Sequence, residues 1–157
     1  TKTVMDKGDV ALAGKGVRRM CQLNNAQMET FITMRAMAAS PLMMGGDLPT
    51  LDEFSLRLIT DADMLACNQN GVMGSLIYED NGVEVWKTEK RGSTQAAWIA
   101  TFNRSEVVKS FILNAAKLGL EEGPSISLRN IWEEGKLDLN ELVEIPAKGV
   151  IFIAVNQ

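Results

Sequence analysis

Apolar positions change their spacing partway along the chain, and the change divides it. From Asn24 onward Met28, Phe31, Ile32, Arg35 and Ala38 recur at three- and four-residue steps. This predicts a helix capped by Asn24 or Asn25 and running to about Ala39, with one side packed against something. Pro41 stops that helix. The run Leu42-Met43-Met44, closed by Gly45-Gly46, has the length and apolar content of a short, fully buried parallel strand. Thr50-Leu51-Asp52-Glu53 then reads as a capping box, with Thr50 accepting from the Glu53 amide. The helix it opens places Phe54, Leu58 and Ile59 inward, and another helical turn starts near Asp61. Helix, strand, helix is the order of an α/β fold.

Beyond Met73 the period falls to two. Leu76 to Glu79 and Val83 to Thr88 flank Asp80-Asn81-Gly82, whose Asn-Gly pair supplies the positive φ angles of a type I′ hairpin. Further strands are predicted at Gln95 to Asn103, Val107 to Leu113, Ser125 to Trp132 and Gly149 to Asn156. Asn103-Arg104-Ser105, Glu121-Glu122-Gly123-Pro124 and Pro146-Ala147-Lys148-Gly149 punctuate them. Short strands with polar turns over about 85 residues predict an antiparallel, Greek-key-like β-sandwich. The expected organisation is therefore residues 1–70 as an α/β part and residues 71–157 as an all-β part. Composition marks the same boundary, since all nine methionines lie at or before Met73, while Tyr78, Trp86, Trp98 and Trp132 follow it.

Charge and residue content exclude several classes of function. Sixteen basic against twenty acidic residues give a net charge of -4, so neither a nucleic-acid backbone nor an anionic membrane surface is an expected partner. Histidine is absent, which removes Ser-His and Cys-His nucleophile pairs, imidazole-bound zinc and histidine bases from the chain. Acid-base work falls to carboxylates. Cys21 and Cys67 lack CxxC spacing and are expected as free, buried thiols. Neither a metal nor another cofactor is called for by any motif, and Glu121-Glu122 and Glu133-Glu134 read as solvated turns.

The stretch Leu23 to Gln69 resembles the C-terminal end of the catalytic barrel of glycoside hydrolase family 27, the α-galactosidases and α-N-acetylgalactosaminidases. The residues that carry the likeness are Ala39-Ser40-Pro41-Leu42, Asp47-Leu48 and Leu65-Ala66-Cys67-Asn68-Gln69. They match a helix ending in a small-residue Pro-Leu pattern before the eighth strand, an Asp-Leu turn, and a helix closing in an Asn-Gln signature. Family members continue with Asp-Pro-Leu-Gly, where this chain has Asn70-Gly71-Val72-Met73. Val83-Glu84-Val85-Trp86 and Ala97-Trp98-Ile99-Ala100-Thr101-Phe102-Asn103-Arg104 are similar to two strands of the family's C-terminal β-domain.

The resemblance implies the end of a (β/α)8 TIM barrel followed by the sandwich, in a retaining α-galactosidase-like hydrolase. Its substrate would be an α-galactoside or related oligosaccharide, and its compartment, if it follows the family, secreted, periplasmic or lysosome-like. The family's nucleophilic and acid-base aspartates sit on earlier barrel strands, in a Lys-x-Asp motif and an Arg-x-x-x-Asp stretch that have no match here. No catalytic residue is therefore assigned. Gly8-Asp9-Val10-Ala11-Leu12-Ala13-Gly14 can be laid over the family's Pro-Asp-Met-Leu-x-x-Gly, which makes Asp9 a candidate substrate-binding residue, with Asp6 as its rival.

Simpler roles compete for the other candidates. Met28, Met34, Met37, Met43 and Met44 read as core filler. Asp47 and Asp52 fit a turn and a helix start. Trp86 and Trp98 suit a sandwich core, and Trp132, beside Glu133-Glu134-Gly135, is expected to be the exposed tryptophan. The alternative function is a non-catalytic carbohydrate-binding or structural β-sandwich module. Under the barrel reading, a lone strand leaves an unpaired edge and an apolar helix face. The rest of the barrel, upstream or on a second chain, is then the expected partner.

Overall fold

The computed structural model describes residues 21–43, 45, 48–93, 96–121 and 126–156. Among these described residues three helices come first: α1 (Asn25–Met37), α2 (Glu53–Thr60) and α3 (Ala62–Gln69), with a short 3-10 turn at Leu48–Thr50. Eight strands follow: β1 (Ser75–Asp80), β2 (Val83–Glu89), β3 (Ala96–Asn103), β4 (Lys109–Ile112), β5 (Ser127–Asn130), β6 (Lys136–Leu137), β7 (Leu142–Ile145) and β8 (Val150–Asn156).

Local chemistry sets the helix starts. Asn24 caps α1 in a reciprocal box, accepting from the Gln27 amide while the Gln27 side chain accepts from the Asn24 amide. The expected box at Thr50 and Glu53 is not the one that forms. Asp52 caps α2 instead, its carboxylate accepting from the Ser55 amide, while Thr50 ends the preceding 3-10 turn. Asp61 caps α3 through the Met64 amide.

The strands form an antiparallel sandwich. One sheet runs β1-β2-β3-β8-β5-β6 and the other pairs β4 with β7. Asn81 and Gly82, at φ 47° and 79°, turn β1 into β2 as the Asn-Gly pair predicts. Strands β6 and β7 are additions to the sequence expectation; β6 has two residues and β7 four, too few to show a period.

Both faces of the large sheet are covered. On one face Val85, Ile99, Ile151 and Ile153 meet Phe111, Val143 and Ile145 of the small sheet, together with Leu113 and Leu118. On the other, Trp98, Ala100, Phe102, Val150 and Phe152 meet Ala36, Met37, Leu58, Met64 and Cys67 of the helices. This explains why β3 reads as a nearly continuous apolar run, for odd and even positions face different cores. Residues on the two sides of Met73 thus share one apolar core.

Three further expectations are corrected. Leu42 and Met43 lie in irregular backbone, with Met43 90% exposed; Met44 is outside the described residues. A buried parallel strand needs ladder partners on both sides, and every described strand pairing is antiparallel. On α1 the packed side is Thr33, Ala36 and Met37, flanked by Met28 and Ile32, while Phe31 is exposed. Trp132 is only 4% exposed.

Candidate functional site

The seam between α1 and the large sheet holds two cavities. Trp86 and Glu84 on β2, Arg104 just beyond β3, and Met34 and Met37 on α1 border an apolar cavity of about 260 Å³, which Met73 and Gly74 also line. Glu84 is held on both sides, accepting from Trp86 Nε1 at 3.1 Å and pairing with Arg104 Nε at 3.5 Å. Gly74 lies so close to Met37 that a Cβ would stand 2.8 Å from its terminal methyl. The amide of Gly74 donates to the Met37 carbonyl at 2.7 Å, tying the entry of the sandwich to the end of α1.

A second groove of about 430 Å³ continues along α1 past Leu23, Phe31 and Met34, with Arg104, Glu106 and Lys148 on its rim. The Thr30 hydroxyl donates to the Lys148 carbonyl at 2.8 Å and fixes the helix over it. Deeper in the seam the Trp132 indole N–H donates to the Thr33 hydroxyl at 2.9 Å, and the Arg57 guanidinium donates to the Trp132 carbonyl. Arg57 also stands 3.7 Å from Glu29. Burial pushes the Glu29 carboxyl above its usual range, Arg57 pulls it down, and the charge of Glu133 pushes it up again.

Several described carboxylates have structural partners. Asp52 and Asp61 cap helices, and the Ser55 amide holds the Asp52 carboxyl below its usual range. Asp63 on α3 pairs with Arg129 on β5, and Glu133 accepts from Asn130 at 2.9 Å. Among the described residues no three His, Cys, Asp or Glu side chains come together as a metal site. No described helix is long and apolar enough to cross a membrane.

Asp9, its rival Asp6, and Asp47 lie outside the described residues. Asp52 occupies the helix start that its position predicts. Trp98 is buried, Trp86 is partly buried at the cavity wall, and Trp132 is sealed against Phe152, with ring centroids 5.8 Å apart. Asn103 escaped sequence reasoning as a structural hub. Its buried amide donates to the carbonyls of Val107, Ile145 and Pro146, and its oxygen accepts from Ser105. Cys67 is buried, with its thiol pushed up to about 12, and Cys21 is exposed; both are free.

No family model matches the chain. Curated relatives do. The chain is 28% identical over 127 residues to an α-galactosidase of Cyamopsis tetragonoloba, a match covering 76% of this chain and 30% of the relative. It is 32% identical over 98 residues to α-galactosidase A of Homo sapiens, covering 59% and 22%. Among solved structures, a family GH27 β-L-arabinopyranosidase from Geobacillus stearothermophilus superposes with a TM-score of 0.79 at 26% identity, covering 93% of this chain and 33% of that one. The α-galactosidase I of Mortierella vinacea, at 16% identity and TM-score 0.73, shares the fold.

By sequence and by fold the chain is a relative of the glycosidases. Within that class its relatives are the α-galactosidases and other enzymes of glycoside hydrolase family 27, and the likeness runs over most of the chain. The chain spans about a third of the length of those relatives.

Proposed function

We propose that this chain is the C-terminal portion of a retaining α-galactosidase-like glycoside hydrolase, with residues 1–70 supplying the last strands and helices of a (β/α)8 barrel and residues 71–157 the sandwich that covers it. The observation that carries the reading is the correspondence with the Geobacillus stearothermophilus enzyme. It takes in 93% of the chain at a TM-score of 0.79, and therefore includes helices and sandwich together. The role of the seam is to hold the barrel's last helices rigidly on the sandwich through Trp132, Arg57 and Gly74.

In this reading the substrate is an α-galactoside or related oligosaccharide. A relative solved with raffinose, the α-galactosidase of Saccharomyces cerevisiae, supports that class. Retaining chemistry uses two carboxyl groups about 5–5.5 Å apart. One attacks the anomeric carbon while the other protonates the departing alcohol oxygen; water, deprotonated by the second, then cleaves the glycosyl ester. Both groups lie in the part of the enzyme that this chain does not span. Asp9 is proposed to line the sugar pocket at the C-terminal face of the barrel, accepting from substrate hydroxyls.

The test is hydrolysis of nitrophenyl α-galactoside. The 157-residue chain alone is expected to give no turnover above buffer, whereas a longer protein containing it hydrolyses the substrate and loses activity with Asp9→Asn. Turnover by the chain alone, or an inactive longer protein, overturns the proposal. The rival sugar-binding module loses its exposed aromatic platform, because Trp132 is buried.

A further inference from the structure

The turn after β3 reads Asn103-Arg104-Ser105, the one place in the sequence where Asn is followed two residues on by Ser or Thr with no Pro between. That spacing is the acceptor pattern for an N-linked glycan, and it belongs on an accessible loop. Here the fold splits the tripeptide. Arg104 is exposed and Ser105 partly so, while Asn103 is 1% exposed. Asn103 Nδ2 donates to the carbonyls of Val107 at 2.7 Å, Pro146 at 2.9 Å and Ile145 at 3.1 Å, so its two hydrogens are shared among three acceptors. Its Oδ1 accepts from the amide and the hydroxyl of Ser105, at 2.9 and 2.7 Å. The atom that would carry a sugar is therefore the atom that ties the end of β3 to the end of β7.

The backbone of the tripeptide is clamped as well. The Asn103 and Arg104 amides donate to the carbonyls of Gly149 and Gly82, and the Ser105 carbonyl accepts from the Lys148 amide. Two of the side-chain partners come late, for Ile145 and Pro146 lie 42 and 43 residues beyond Asn103. At about 5–20 residues per second of synthesis, Asn103 stays open for about 2–8 s before they emerge. A glycan on Nδ2 removes one of its two hydrogens. It also sets a sugar ring against β7, where the closed fold leaves 1% of Asn103 exposed.

We propose that Asn103-Arg104-Ser105 is a glycan acceptor that folding withdraws, so that modification and closure of the sandwich compete for one nitrogen. In the open chain Nδ2 bonds the anomeric carbon of a lipid-linked oligosaccharide and loses a proton, and the lipid pyrophosphate departs with the electron pair of the cleaved C–O bond. In the closed chain the same nitrogen is held by the three carbonyls. Nothing in this competition depends on the glycosidase reading.

Purified oligosaccharyltransferase with a lipid-linked oligosaccharide is the probe. Chain diluted from urea straight into the reaction should gain one glycan, seen as a single gel step. Chain refolded beforehand should be modified at least about 100-fold more slowly, since only opening of the sandwich frees Nδ2. Ser105→Ala should abolish the step. Leu142→Thr makes the exposed Asn140 a second acceptor, and its step should appear both before and after refolding. Chain carrying a glycan at Asn103 should lose its cooperative unfolding transition in native buffer; chain carrying one only at Asn140, in a Ser105→Ala background, should keep it. If the 157-residue chain shows no cooperative transition of its own, the same contrast is read in a longer protein that contains it. Equal rates in the refolded and unfolded arms, no glycan on the unfolded chain, or an unchanged melt with the glycan at Asn103 each overturn the proposal.

Discussion

The indole N–H of Trp132 donates to the hydroxyl of Thr33 at 2.9 Å, both side chains buried and 99 residues apart. This bond joins α1 to the turn after β5 and sits at the middle of the helix–sandwich seam. Trp132→Phe removes the donor and part of the ring packed on Phe152, and should cost about 2–3 kcal/mol. Thr33→Val orphans the indole N–H and should cost about 1–3 kcal/mol. Since each single change destroys the same bond, the double variant should fall short of the sum by about 1 kcal/mol. Denaturant titration of the four proteins measures that difference; strict additivity would show that the bond contributes nothing.

Glu29 should make the seam more stable in mild acid. Its folded carboxyl titrates above the ordinary 4.5, because burial and the Glu133 charge outweigh the attraction of Arg57. As pH falls from neutral toward 4.5, the folded chain takes up the proton before the unfolded chain does, so stability rises over that window and is lost again as pH climbs through the folded value. Glu29→Gln should melt higher than the parent at neutral pH, with the gap closing as 4.5 is approached. Parallel Tm-against-pH curves would rule this out.

Thr101 offers a stabilising substitution. It is fully buried in β3, opposite Val85 and Ile151, and its hydroxyl has no hydrogen-bond partner among the described residues. Thr101→Val keeps the branched shape and removes an unsatisfied polar atom, which should raise stability by about 1 kcal/mol. A lower Tm for the variant would contradict this.

The two cysteines should separate cleanly by reactivity. Cys21 is exposed, whereas Cys67 is buried against Met37, with Sγ and Sδ 3.9 Å apart, and its thiol is pushed up to about 12. In native buffer at neutral pH a disulfide reagent should release one equivalent of chromophore per chain, and a second only with denaturant. Two fast equivalents would mean that the helical layer opens readily.

Local chemistry was legible in the order of residues. Asn24 and Asp61 mark their helix starts, Pro41 lies beyond the end of α1, and Asn81-Gly82 dictates the turn between β1 and β2, because caps and turns are decided within a few residues. The motifs around Pro41, Asn68-Gln69 and Trp98 also pointed to the glycosidase relatives. What only tertiary structure decided are the choices that depend on distant partners. Trp132 follows a buried strand end and precedes two glutamates, so its neighbours gave it an exposed look; Thr33, far away in sequence, closes over it. The packed side of α1 could not be chosen from a helix apolar on both sides, and the sandwich took Ala36 and Met37, whose contacts with Trp98 and Phe152 exist only after folding. Leu42 and Met43 show the same dependence from the other direction: a strand is defined by its ladder, and no described strand pairs with them.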